Sequence, residues 1–196
     1  MERSVLLVDP DAARQRRITQ SLEGTNFQIA AAARDSEEGL RLAAMVRPDI
    51  ALIGTALGNG AGMHVTERLP KEYNVPLVLL ASGSLESPSM ELATHKGVMG
   101  IVVEPVQAAT LRATIEVAVC RFQELCALQQ KGETLRRTVE ARKVIERAKG
   151  LLMDAGRTSE GEAYARIRRK SMDTQQPMAE IARAIILSAE MSLKMP

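Results

Sequence analysis

Five cations in the last third of the chain, Arg142, Lys149, Arg168, Arg169 and Lys170, are the side chains best placed for binding chemistry. Arginine bonds phosphate in a two-pronged fashion or stacks on a base, and lysine offers a compact charge. Arg142 and Lys149 are seven residues apart, two helical turns, and so share one stripe. Arg168, Arg169 and Lys170 are consecutive, and successive helical residues turn by roughly 100°, so the three cannot share one face. Each of these charges also suits a solvated helix face. The rest of the sequence is poor in catalytic groupings. Cys120 and Cys126 are six apart with no His or Cys nearby, which fits neither a zinc ribbon nor a redox pair. Two reduced thiols fit a cytoplasmic protein. His64 and His95 match no ligand spacing. With no nucleophile–base pair or metal cluster, the expectation is a protein that is not an enzyme and uses no metal or cofactor.

The charge is unevenly divided. The chain of 196 residues has a net charge of +2, but residues 1–119 carry −3 and residues 120–196 carry +5. An acidic front and a basic back point to two domains, the second with a polyanionic partner. Only four aromatics and no Trp argue against a sheet that stacks several bases. No apolar run approaches the roughly 20 residues of a membrane span, and the N-terminus has no signal-peptide pattern.

The elements that position these residues fall into three parts. In residues 1–119, apolar strand candidates at 5–8, 27–31, 50–53, 75–80 and 100–103 alternate with helices at 12–22 and 36–46, and a glycine-rich loop spans 54–62. Uninterrupted apolar strands between helices predict a parallel sheet covered on both faces. The arrangement is α/β, a flavodoxin-like doubly wound five-stranded parallel sheet, whose functional loops lie at the carboxyl ends of the strands. From 107 to 153 the pattern becomes one long helix. Leu111, Ile115, Ala118, Phe122 and Leu125 follow 4-3-4-3 spacing, and Leu128, Gly132, Leu135 and Val139 continue it. The two consecutive steps of three at Phe122, Leu125 and Leu128 form a stammer. Phe122, Leu125, Leu128, Leu135 and Val139 make a narrow seam on a polar helix, which serves a parallel or antiparallel homodimer. The first turns suit packing back on the sheet up to about residue 119.

Residues 133–196 read as a small three-helix bundle. Its first helix stops at Asp154-Ala155-Gly156, with Gly156 suited to the left-handed position. Ser159 and Glu162 fit a capping box. The second helix carries Ala163, Tyr164, Ile167 and Met172. Asp173-Thr174 can cap the third, which has Pro177 in its first turn and an apolar face of Met178, Ile181, Ala182, Ile185 and Ile186. Ala148, Gly150 and Ala163 suit close helix packing, and Tyr164 suits either the core or a stacking platform.

Two resemblances attach to these parts. Val8-Asp9-Pro10-Asp11, Arg47-Pro48-Asp49-Ile50-Ala51-Leu52-Ile53-Gly54, Val75-Pro76-Leu77 and Val103-Glu104-Pro105 resemble the landmarks of response-regulator receiver domains. That family phosphorylates an Asp at the end of the third strand, beside an acidic pair for Mg²⁺, a hydroxyl after strand four and a Lys after strand five. Carried over by position, the acceptor is Gly54, the hydroxyl position is Ala81 with Ser82 adjacent, and the Lys position is Glu104. Only Asp9 and Asp11 remain, and they also suit capping of the first helix. The resemblance thus implies a pseudo-receiver with no phosphorelay and no bound Mg²⁺. The segment from Glu140 to Met153, with Glu162-Ala163-Tyr164, Arg168-Arg169-Lys170-Ser171-Met172 and Glu180-Ile181-Ala182, is similar to ANTAR domains, which bind RNA and act in transcription antitermination. The whole chain then resembles antiterminators of the AmiR and NasT type. That resemblance implies hairpins in a nascent leader RNA as partner, a homodimer through the long helix, and a ligand-sensing repressor protein that sequesters the antiterminator. Nitrate or nitrite and small amides are the inducers it implies. A receiver-like adaptor with a helical dimerisation tail is the alternative, and a DNA-binding regulator stands third.

Overall fold

The computed structural model describes residues 2–57, 61–83, 93–95 and 97–194. Glycines 58 and 60 of the expected glycine-rich loop lie outside the described residues. The chain divides into two compact units, residues 1–126 and 127–196.

The first unit is a five-stranded parallel sheet in the order β2-β1-β3-β4-β5. Its strands are β1 (Arg3–Val8), β2 (Phe27–Ala33), β3 (Ile50–Gly54), β4 (Leu77–Ala81) and β5 (Val98–Val103). The expected doubly wound sheet is present. The side-chain alternation of β1 shows why both faces need cover. Val5 and Leu7 join Ile18 and Leu22 of α1 (Ala12–Leu22) and Leu111, Ile115 and Ala118 of α4 (Ala108–Gly156) in one core. Leu6 and Val8 join Leu40 and Ala43 of α2 (Ser36–Val46) and Val65 and Leu69 of α3 (Ala61–Tyr73) on the other side. All these side chains are essentially buried. At about 25 cal/mol per Å² of apolar area, each Leu or Ile so placed contributes roughly 2 kcal/mol. The expected glycine-rich loop to Gly62 is shorter than its composition suggested, because α3 already begins at Ala61.

The helix α4 departs at one point from the expected seam. Phe122, expected at the start of that seam, is only 7% exposed within the first unit, where it lies by Pro48, Asn74 and Pro76. The stammer marks the change: before it Leu111, Ile115, Ala118 and Phe122 are buried, whereas residues 127–140 are all exposed.

In the second unit, the end of α4 packs with α5 (Glu160–Thr174) and α6 (Met178–Lys194). Ala148, Ile167, Ile181 and Ala182 form the centre, flanked by Val144, Ile145, Leu152, Met178, Ile185 and Ile186. Four local expectations change. Helix α4 runs through Gly156, and Arg157 takes the left-handed conformation at φ 47°. Asp173 and Thr174 close α5, where Gln175 is the left-handed cap, and the carbonyl of Pro177 accepts the first bonds of α6. Met172 is exposed because it lies on the outer side of α5 from Ile167. A Cβ on Gly150 would touch nothing, so close packing rests on Ala148 and Ala163. No helix among the described residues is long and apolar enough to cross a membrane.

Candidate functional site

The carboxyl ends of β1, β3 and β5 bring Asp9, Gly54 and Glu104 together with Arg14 and Arg17 of α1. Asp11 caps α1, its carboxylate accepting from the amides of Ala13 (2.8 Å) and Arg14 (3.3 Å). Those two amide bonds hold the Asp11 carboxyl below its ordinary value. Asp9 does not cap the helix. It is fully buried, accepts from the amide of Asp11 at 2.8 Å, and pairs with the Arg14 guanidinium at 3.3 Å. Burial raises the Asp9 carboxyl above its ordinary value, and the amide bond and Arg14 oppose that rise.

Glu104 reverses the charge expected at the end of β5. Its carboxylate accepts from Arg17 at 2.8 Å and lies 3.5 Å from the Nε of Arg14. Arg14 therefore bridges two acids from different strands. Gly54 explains how the arrangement fits. A Cβ there would come within 2.7 Å of the Asp9 carboxyl carbon, with Oδ2 nearer still. Ala81 is buried at the end of β4, and Ser82 is exposed. Sequence reasoning names Asp9, Gly54 and Glu104 but misses Arg14 and Arg17. Their spacing of three on the helix that follows β1 is the signal that places both over the strand ends. A phosphoryl group would meet two acids here and two cations already engaged.

In the bundle, the five candidate cations separate. Arg142, Arg168, Arg169 and Lys170 are exposed and make no ion pair among the described residues. Lys149 differs. It is 6% exposed, and its Nζ donates to Glu146 at 2.8 Å and Glu160 at 2.6 Å. These two carboxylates raise the Lys149 ammonium above its ordinary value, and Lys149 lowers that of Glu160. Lys149 ties α4 to the start of α5 and is buried by that pairing, unlike the other four cations. The capping box is formed: Glu162 accepts from the Ser159 amide at 2.9 Å, and Ser159 Oγ accepts from the Glu162 amide at 3.4 Å. Tyr164 is exposed on α5, four residues from Arg168, which places it outside the core. Arg166, absent from the sequence-based set, is a further exposed cation of α5. Other basic side chains are engaged: Arg147 with Glu190 at 2.8 Å, Lys143 with Glu140 at 3.2 Å, and Arg183 with Glu180. Among the described residues no group of three or more His, Cys, Asp or Glu could hold a metal ion.

Comparison with known proteins separates the same two parts. Residues 5–116 match the response regulator receiver domain, and residues 133–186 match the ANTAR domain. The transcriptional regulatory protein PdtaR of Mycobacterium tuberculosis is 29% identical over 184 residues, which cover 94% of this chain and 89% of that protein. The aliphatic amidase regulator of Pseudomonas aeruginosa is 28% identical over 117 residues, 60% of this chain and 58% of that protein. Among solved structures, the signal receiver domain of a modulated diguanylate cyclase from Desulfovibrio desulfuricans superposes with a TM-score of 0.54. It is 28% identical, over 63% of this chain and 98% of that one.

Proposed function

From a chain that belongs to the response regulator receiver family and carries an ANTAR domain over residues 133–186, we infer an RNA-binding transcription antiterminator of the cytoplasm. It binds hairpins in a nascent leader RNA and holds an arrangement that excludes the terminator hairpin. The observation that carries this reading is the surface of the ANTAR-matching bundle. There Arg142 of α4 and Arg168, Arg169 and Lys170 of α5 stand exposed, with no ion pair among the described residues. Hairpin RNA presents phosphates, 2′-hydroxyls and unpaired loop bases, and free guanidinium groups suit all three. No bond is made or broken, so the reaction is an exchange of RNA structures. Two copies joined through Leu125, Leu128, Leu135 and Val139 of α4 present two bundles to two hairpins.

Control comes from a ligand-sensing protein partner and not from phosphorylation. Gly54 has no carboxylate to phosphorylate, and Glu104 has already taken the cations that flank it. A domain without an acceptor takes its input by binding. The test is a titration of the full chain with a leader hairpin and with duplex DNA of equal length, coupled to terminator readthrough. Selective hairpin binding with increased readthrough is expected. Preference for the duplex would make it a DNA-binding regulator, and binding to neither would leave a protein-interaction adaptor.

A further inference from the structure

The exposed middle of α4 carries enough pattern to fix how a second copy lies on it. This inference rests on the dimer reading above. Residues 127–140 are all exposed, yet Leu128, Leu135 and Val139, at 65%, 67% and 53% exposure, share one stripe with Gly132 and Arg142. An apolar stripe on an otherwise polar helix needs a partner helix. In heptad terms Gly132 and Val139 occupy one core position, and Leu128, Leu135 and Arg142 the other.

A parallel, in-register pair sets each residue against itself. Gly132 would face Gly132 and leave a gap, and Arg142 would face Arg142. The flanking positions would bring Lys131 against Arg136 of the other copy, twice by symmetry. We propose that the second copy of this chain docks antiparallel along α4, with the two-fold axis between Glu133 and Thr134. Leu128 then packs on Val139 of the other copy, and Leu135 fills the space over the other copy's Gly132. A Cβ at Gly132 would touch nothing within its own chain, which leaves that space open to an incoming side chain. Arg142 lies opposite Leu125, over which its aliphatic stem extends while the guanidinium reaches water. The three like-charge and empty layers of the parallel pair all disappear.

The full chain carrying Cys120→Ser and Cys126→Ser provides the background for the test. Equal amounts of its Leu128→Cys and Val139→Cys forms, mixed and mildly oxidised, are expected to give a disulfide-linked heterodimer. Leu128→Cys alone gives none, because its two copies lie about 16 Å apart along the axis at 1.5 Å per residue. A spin label at Glu140→Cys gives a second reading, with the two labels offset by about 20 Å along the axis. Circular dichroism and sedimentation confirm that each form is folded and dimeric. Cross-linking of Leu128→Cys with itself, or labels level with each other, would overturn the antiparallel pairing while leaving a dimer. A monomer by sedimentation would overturn both this pairing and the dimer. The hairpin titration of the unaltered chain reports on RNA binding separately.

Discussion

Asp9 and Gly54 share one volume: the carboxylate of the first lies where a side chain on the second would have to start. Gly54→Asp therefore does not restore a phosphoacceptor. It forces a second acid against a buried one, at a cost of about 3 kcal/mol from overpacking and like charge. Intact-mass measurement after acetyl phosphate with Mg²⁺ is expected to show no phosphoryl adduct on either the natural chain or the variant. A stoichiometric adduct on the natural chain would refute the pseudo-receiver reading.

Arg14→Met leaves Asp9 buried and unpaired, which costs about 3–5 kcal/mol for a buried pair broken on one side. The pH dependence has a definite sign. The folded-state value of Asp9 is raised above 3.8 by burial. Its ionisation penalty is therefore absent below the unfolded value and complete above the folded one. Without Arg14 the folded value rises further. Urea unfolding should show the variant's deficit shrinking on acidification; a deficit that grows would contradict the assignment.

In the bundle the sign is opposite. Glu160 and Glu162 are held below 4.5 by Lys149 and by the Ser159 bonds, respectively. Their contribution is present above that value and lost as pH falls through the lowered ones. Lys149, raised above 10.5, contributes below that value and fails only as pH rises through the raised one. Hydrogen exchange at the α5 amides should accelerate at the acid end, and Glu160→Gln should weaken that dependence.

Salt dependence separates binding cations from structural ones. Arg142→Gln with Arg168→Gln should lower the slope of log affinity against log salt by up to about 0.7–0.9 for each phosphate no longer neutralised. Both side chains are exposed, so stability should change by less than about 0.5 kcal/mol each. Lys149→Gln should loosen the bundle and leave the slope of the folded protein unchanged. An equal drop in slope for Lys149→Gln would return that residue to the RNA surface.

Leu128→Glu with Leu135→Glu places four acids in the seam of a pair. Sedimentation should show a monomer whose receiver-like unit keeps its circular dichroism. A dimer of natural strength would place the interface elsewhere.

The sheet was legible because its strands are short, apolar and uninterrupted, and their spacing admits little else. The bundle was legible through Ser159 and Glu162 and through the Ile181–Ile186 face. Lys149 was not, since a sequence shows a charge but not the two carboxylates that a turn brings to it. The burial of Phe122 was not legible, because the same 4-3 spacing serves a side chain covered by its own chain and one in a dimer seam. The receiver resemblance puts Gly54 at the acceptor position, but the need for a glycine there comes from Asp9, forty-five positions away and joined only by strand pairing.

The interlock of Asp9, Arg14 and Glu104 around Gly54 also bears on engineering. Restoring phosphate chemistry would need a carboxylate at 54, a lysine at 104 and a released Asp9, and each change alone strands a charge or creates a clash. Under the pseudo-receiver proposal, an engineered return to phosphate chemistry would have to exchange these residues together, because they share one volume and one set of charges.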